Sequence, residues 1–298
     1  MLKVFDDLDR ELVLGRAPRR IVSLVPSETF NVVALGAGER LVGRTDYCVH
    51  PEGLAALAVG GTKDPRVDDV LALEPDLVLA NKEENSKGDL ERIVAAGVKV
   101  FVSFPRRVAD GLAHLGRLAR ILGTGDQADV KARLRAGYHA LREAEAARAT
   151  TTPLRVFVPI WMDPLMTIHG DTFLSDLLDL VGLQNVFADR RRRYPLAADL
   201  GRAPPKTPEQ LGQRDTRYPR VTLDEVVARA PEIILLPDEP HPFDARDAEV
   251  FRALDVPAAR DGRVIACAGR DLSWPGAQAL DGLPRVRALV ERWRGARG

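Results

Sequence analysis

The sequence predicts an α/β protein of two Rossmann-like α/β lobes bridged by one long helix, and three observations carry that expectation. Short apolar, β-branched runs alternate with helical stretches along nearly the whole chain, the pattern of a mainly parallel sheet. One long Ala-, Arg-, Leu- and Glu-rich helix is expected over 126–148, near the middle. A helix–turn–strand segment of the first half recurs in the second. The expected division is an N-terminal lobe over 1–122, the bridging helix over 123–150 and a C-terminal lobe over 151–298.

In order, residues 1–19 read as a hairpin-like entry segment, and Arg20 to Leu24 as a buried strand. Ser27 is expected to cap a helix that begins near Phe30 and is stopped by Gly36 and Gly38. Arg40 to Gly43 is the next strand. Val67 to Glu74 is expected as helix, Leu77 to Ala80 as strand, Lys87 to Ala96 as helix, Val98 to Ser103 as strand, and 106–122 as helix. The long helix follows as the only one of its length, and a strand from Leu154 to Val158 reopens the alternation. Residues 190–220 break it. Four consecutive Arg and five Pro predict a surface loop without regular elements, inserted on the second lobe, whose Arg190–Arg193 run is either solvated or bound to an acidic group.

The repeat pairs Val67–Ala80 with Leu223–Leu236. In each copy the residue before Pro75 or Pro231 is pushed out of the helical region, so the helix ends there, and four apolar residues after the next acidic position form a buried parallel strand. Asp68 and Asp224 fall in the first turns, where negative charge is favoured. Two such units flanking one long helix imply two similar lobes. Small-molecule sites favour the clefts between lobes and the carboxyl ends of strands.

Composition narrows the function. With 43 Lys and Arg against 43 Asp and Glu, there is no basic excess to attract nucleic acid or an anionic membrane. No stretch reaches the roughly 18–20 apolar residues of a membrane span. Cys48 and Cys267 are two isolated thiols, not a disulfide framework. The N-terminus carries no apolar leader run, which reads as a cytoplasmic protein, or as a periplasmic or extracellular one if a leader lies outside the sequence. A monomer is expected.

The motifs Arg20-Ile-Val-Ser-Leu-Val-Pro-Ser27, Leu35-Gly-Ala-Gly38, Leu41-Val-Gly43, Val59-Gly-Gly61 and Pro75-Asp-Leu-Val78 resemble the helical-backbone solute-binding proteins of ABC importers for vitamin B12, haem and iron–siderophore complexes. The vitamin B12-binding members are nearest, and the resemblance spans about 18–290. It implies two α/β lobes joined by a long helix, with ligand held in the cleft between them. It also implies docking on an ABC importer permease dimer through one acidic residue per lobe. The matching positions are Asp68 and Asp224, one carbon shorter than the family's usual Glu.

Candidate ligand contacts lie in strand-end loops. Tyr47 matches a ligand-contacting tyrosine of the vitamin B12 binders. Asn81 and Glu83 follow the first repeat's strand. Asp238, Glu239 and His241 follow the second's, and both loops are acidic, which suits a cationic or metal-bearing ligand. Trp161, Asp163 and Trp274 would pack or flank a flat macrocycle. Cys48 and His50 form a C-x-H pair which, with His241, supplies donors for Zn, Co, Cu or haem iron. Where the vitamin B12 binders line the first lobe with tryptophans, this chain has Gly61-Thr62-Lys63 and Asn81-Lys82. The ligand therefore stays open among a corrinoid, haem, a siderophore complex and a divalent metal ion. No hydrolase, dinucleotide, phosphate-loop or zincin motif is present, so the expectation is non-enzymatic binding. The alternatives are a tetrapyrrole metal chelatase using His50, His169, His241, Glu83 and Glu239, and an adaptor that docks a partner through its acidic helix tips without a small ligand.

Overall fold

The computed structural model describes Met1–Gly295. The last three residues of the expected second lobe, 296–298, lie outside the described residues. The chain divides into two compact units, one of Met1–Ala140 with Trp274–Leu280, the other of Leu141–Ser273 with the chain from Asp281 onward.

The first unit opens with the expected hairpin, β1 (Leu2–Phe5) and β2 (Glu11–Leu14), paired antiparallel. Its main sheet comprises β3 (Ile21–Ser23), β4 (Leu41–Arg44), β5 (Leu57–Ala58), β6 (Leu77–Asn81) and β7 (Val100–Ser103). The order is β5-β4-β3-β6-β7 and every pair is parallel. All residues of β3, β6 and β7 are buried, as a sheet covered on both faces requires, and each strand is apolar up to its last residue, Ser23, Asn81 or Ser103. Crossovers run through α1 (Pro26–Ala34), α2 (Val67–Ala72) and α3 (Lys87–Ala95), and α4 (Val108–Leu122) follows β7. Val22, Val70, Val78, Ile93 and Val102 form the core between sheet and helices.

One cap differs from expectation. Pro26, not Ser27, sets the start of α1. Proline suits the first helical position because its missing N–H would be unsatisfied there, so Ser27 lies inside the helix, buried, and Val25 takes the cap position without a side-chain bond.

The long helix α5 (Ala128–Thr150) buries a single narrow stripe at Val130, Gly137, Leu141 and Ala144. It is not alone in its length, because the C-terminal helix runs 19 residues from Ala277 to Gly295 and contains Pro284.

The second unit's sheet is built from β8 (Leu154–Phe157), β11 (Leu183–Asn185), β12 (Ile233–Pro237) and β13 (Val264–Cys267), all parallel, in the order β11-β8-β12-β13. A short antiparallel hairpin, β9 (Trp161–Met162) and β10 (Leu165–Met166), follows β8. The main covering helices are α6 (Phe173–Leu180), α9 (Leu223–Arg229) and α10 (Ala245–Arg252). Phe157 centres the core, with ring centroids 5.4 Å from Phe187 and 6.0 Å from Phe251.

The Arg/Pro-rich segment departs from the expected loop. It holds two single-turn helices, α7 (Leu196–Asp199) and α8 (Pro208–Leu211). Arg190 is buried, not solvated. Its guanidinium donates to Asp199 at 3.0 Å and to Glu225 at 3.1 Å. Proline excludes long helices but serves helix starts well, and it leads α8 from the first position.

The repeat is realised in both units, as α2–β6 and α9–β12. The residue before each proline leaves the helical region through the left-handed one, with φ of +46° at Glu74 and +44° at Ala230.

Candidate functional site

In the first unit the carboxyl ends of β3, β4, β6 and β7 carry a buried polar layer. Asn81 donates its amide to Ser103 Oγ at 3.2 Å and accepts from the Glu83 N–H at 2.8 Å. Asn85 donates to the carbonyls of Leu24 at 3.1 Å and Thr62 at 2.9 Å, and Lys63 Nζ donates to the Glu83 carbonyl. These bonds tie the loops after β3, β5 and β6 together at one end of the sheet. Asn81 is 6 % exposed with its amide engaged on both sides, so it shapes the loop and does not face a ligand.

Beneath the layer lies a buried ion pair, Glu28 of α1 and His114 Nε2 of α4, 2.9 Å apart. Burial alone would raise the Glu28 pKa, but the His114 charge and hydrogen bonds from His114, Ser103 and Asn31 bring it below its ordinary value. His114 stacks on Phe101 at 5.7 Å.

The loop after β4 separates its candidates. Tyr47 projects into solvent, 64 % exposed. Cys48 turns inward at 1 % exposure, with Thr29 Oγ1 at 3.1 Å and Thr45 Oγ1 at 3.0 Å from its sulfur. Burial pushes its pKa up, which opposes the thiolate that a metal ligand must be. The C-x-H pair provides a packed thiol and a half-buried imidazole. His50 lies 6.4 Å from the Trp274 ring, and Phe30 meets the same ring edge-on at 6.3 Å. Trp274 belongs to the first unit and is 7 % exposed. It is a core residue there, not the open platform that its place in the sequence predicts.

In the second unit the hairpin after β8 and the loop after β12 meet. Trp161, 44 % exposed, donates its indole N–H to the Asp163 carbonyl at 3.0 Å. Its ring meets His241 edge-on at 5.5 Å, and His241 meets Phe243 at 4.6 Å. Asp247 of α10 fixes the imidazole through Nε2 at 3.0 Å. His241 Nδ1 makes no hydrogen bond among the described residues, which leaves it as the ring's free donor or acceptor. An imidazole held by a carboxylate through its other nitrogen is the arrangement that orients metal-ligating histidines.

The acidic residues of this loop are already engaged. Asp238 accepts from the Gly269 N–H at 2.7 Å, and Glu239 from Ser273 Oγ at 3.2 Å. Burial, followed by the charges of Asp238 and Asp271, pushes the Cys267 thiol up to about 12. His169 is buried, with Nδ1 accepting from the Asp171 N–H at 2.9 Å, and burial lowers its pKa.

Among the described residues no three His, Cys, Asp or Glu side chains gather as a metal-holding group. A bare divalent ion needs about four donors, so these residues do not fit one. Asp68 and Asp224 stand exposed in the first turns of α2 and α9, and Asp68 pairs with Arg92 at 3.3 Å. Sequence reasoning missed the Glu28–His114 pair and the role of Asp247. No local motif marks the former. The latter has a signal in the six-residue spacing from His241 to a helix-start aspartate. No described helix is long and apolar enough to cross a membrane.

Residues 21–270 match the family model described as periplasmic binding protein. A vitamin B12-binding protein of Yersinia pestis (strain Pestoides F) is 29% identical over 224 residues, covering 74% of this chain and 70% of that one. The structure of a periplasmic haem-binding protein from Pseudomonas aeruginosa superposes with a TM-score of 0.66 at 23% identity, covering 91% of this chain and 92% of that one. The molybdate-binding protein MolA of Haemophilus influenzae superposes with a TM-score of 0.75 at 14% identity over 99% and 92%. The chain belongs to the periplasmic binding protein family and is a non-enzymatic binding protein of two α/β lobes.

Proposed function

We propose that the protein binds, without covalent attachment, a metal complex of corrinoid, haem or siderophore type, and presents it to an ABC importer. The observation that carries the ligand class is the Trp161–His241–Phe243 cluster at the carboxyl end of the second unit's sheet, with His241 held by Asp247 and its Nδ1 free. An aromatic face for a flat chelate and one oriented nitrogen suit a metal whose equatorial positions are already filled. Tyr47 supplies an exposed ring at the carboxyl end of the first unit's sheet. The vitamin B12 and haem named for the relatives fall in this class, and Asp68 and Asp224 would be the docking points.

Titration calorimetry with aquocobalamin, haem and a ferric siderophore, together with absorbance spectra, tests the reading. Saturable binding of at least one, with a shifted Soret or corrin band where the macrocycle carries the metal, is expected. Failure of all three to bind would refute it. Cell fractionation of the native host then separates an importer's receptor from a cytoplasmic carrier of the same ligand.

A further inference from the structure

Residues 190–220 hold nine Arg and Lys against three Asp and Glu, in a chain that is neutral overall. The carboxylates do not balance this excess. Asp199 is buried and fully engaged, its Oδ1 by Arg190 and the Arg193 N–H, its Oδ2 by the Arg220 N–H at 2.8 Å. Asp215 is held by Arg217. Asp199 thus bridges the backbone at 193 and 220, and the Arg192 N–H donates to the Thr216 carbonyl at 2.7 Å, which brings the chain at 192–193 to that at 216–220, close enough for the Arg192 charge to act on Arg220.

Among the described residues neither guanidinium donates a hydrogen bond, although the charge of Asp199 acts on Arg220 and that of Arg192 on Asp215. Nε and Nη1 of Arg220 and Nε of Arg192 are buried with no hydrogen-bond partner among the described residues, and Arg192 lies over the Tyr194 ring at 4.4 Å. Burial and then the Arg192 charge lower the Arg220 pKa, as two like charges in one place require. Buried donors left unpaired are costly, and adjacent cations add to the cost, so an arrangement of this kind is stable when an anion completes it.

Its position ties it to the site. Met166 pairs with Trp161 on one side and with Arg220 on the other. Directly opposed residues share a face of the ladder, so Trp161, Met166 and Arg220 form one row, with Arg220 roughly 10 Å from Trp161.

We propose that Arg192 and Arg220 form an oxyanion subsite in the second unit, which takes an acidic group. The source is either a carboxylate arm of the chelate packed on Trp161 or a free oxyanion. The link to Trp161 rests on the proposed function; the subsite itself does not.

Thermal unfolding of the full chain with millimolar citrate, against sodium chloride of equal ionic strength, tests the subsite. A saturable rise in Tm is expected for the wild type and for Arg202→Met, an exposed cation of the same segment, and its loss in Arg192→Met and Arg220→Met. If Arg220→Met fails to fold, Arg192→Met and Arg220→Lys carry the comparison. No rise in the wild type, or an equal rise in the Arg192 and Arg220 variants, overturns the proposal. Two further probes separate the sources. Haem binding at least about tenfold tighter than its dimethyl ester, with the gap closing in the variants, assigns a chelate arm. Competition by molybdate or inorganic phosphate without that gap assigns a free oxyanion. Failure of both porphyrins to bind would count against the proposed function and leave the citrate result to decide the subsite.

Discussion

At the scale of single residues, the second unit's cluster makes the sharpest expectations. Aromatic contacts contribute about 0.5–1.5 kcal/mol beyond area burial, so Trp161→Ala should weaken haem or cobalamin binding by roughly three- to tenfold without lowering Tm, since the ring is half exposed. Calorimetry on the variant checks this, and unchanged affinity for every ligand that binds would remove Trp161 from the site. Backbone conformation gives a second prediction. Ala230 holds φ +44° and ψ +61°, where a side chain costs about 1–2 kcal/mol, partly offset by the greater unfolded-state entropy of glycine. Ala230→Gly should therefore stabilise by up to about 1 kcal/mol, read as a higher denaturant midpoint at unchanged m-value. A lower midpoint would show that the pre-proline turn gains nothing from glycine. The sequence placed this turn correctly through Pro231 but could not specify its conformation, because the rule for residues before proline excludes the right-handed helix and leaves the choice of escape route to packing.

At the scale of elements, α1 and α4 are joined through charge. Glu28 and His114 are 3% and 1% exposed, and the carboxyl pKa lies below its ordinary 4.5. A depressed folded-state pKa contributes stability that is present above the unfolded value and is lost as pH falls through the folded one. The first unit should therefore lose stability below about pH 4.5, and His114→Leu, which strands a buried carboxylate, should cost about 3–5 kcal/mol at neutral pH. Urea midpoints of both proteins between pH 3 and 8 measure it. A variant as stable as the wild type at pH 7 would mean that Glu28 is neutral there. Neither partner was legible as half of a pair, because 86 positions separate them and the contact depends on how α4 crosses the sheet. The strands were legible for the opposite reason. A fully buried parallel strand is a near-continuous apolar run, and β3, β6, β7 and β12 each read as one up to the last residue. Trp274 shows the limit of reading sites by sequence order, since a tryptophan expected in an open loop fills the first unit's core.

At the scale of the whole molecule, the repeat is the organising fact, because it gives each unit one acidic helix start in the same structural place. Asp68 is 91% exposed in its side chain and Asp224 is exposed too, and neither is needed by its own helix for more than a few tenths to about 1 kcal/mol of dipole stabilisation. If these are docking points, charge reversal should affect delivery and spare binding. Asp68→Arg and Asp224→Arg should each reduce stimulation of a reconstituted importer's ATPase several-fold, and the double variant should abolish it, with ligand affinity and Tm unchanged. Asp68 carries a further feature, its ion pair with Arg92 at 3.3 Å. Exposed pairs contribute at most about 1 kcal/mol, so Arg92→Ala should leave stability intact while freeing the carboxylate, and stimulation should rise modestly, by up to about fivefold. Glu substitutions should raise it as well if the missing methylene limits reach. An importer that responds equally to the wild type and the double reversal would separate these aspartates from transport and return them to the role of helix-start charges.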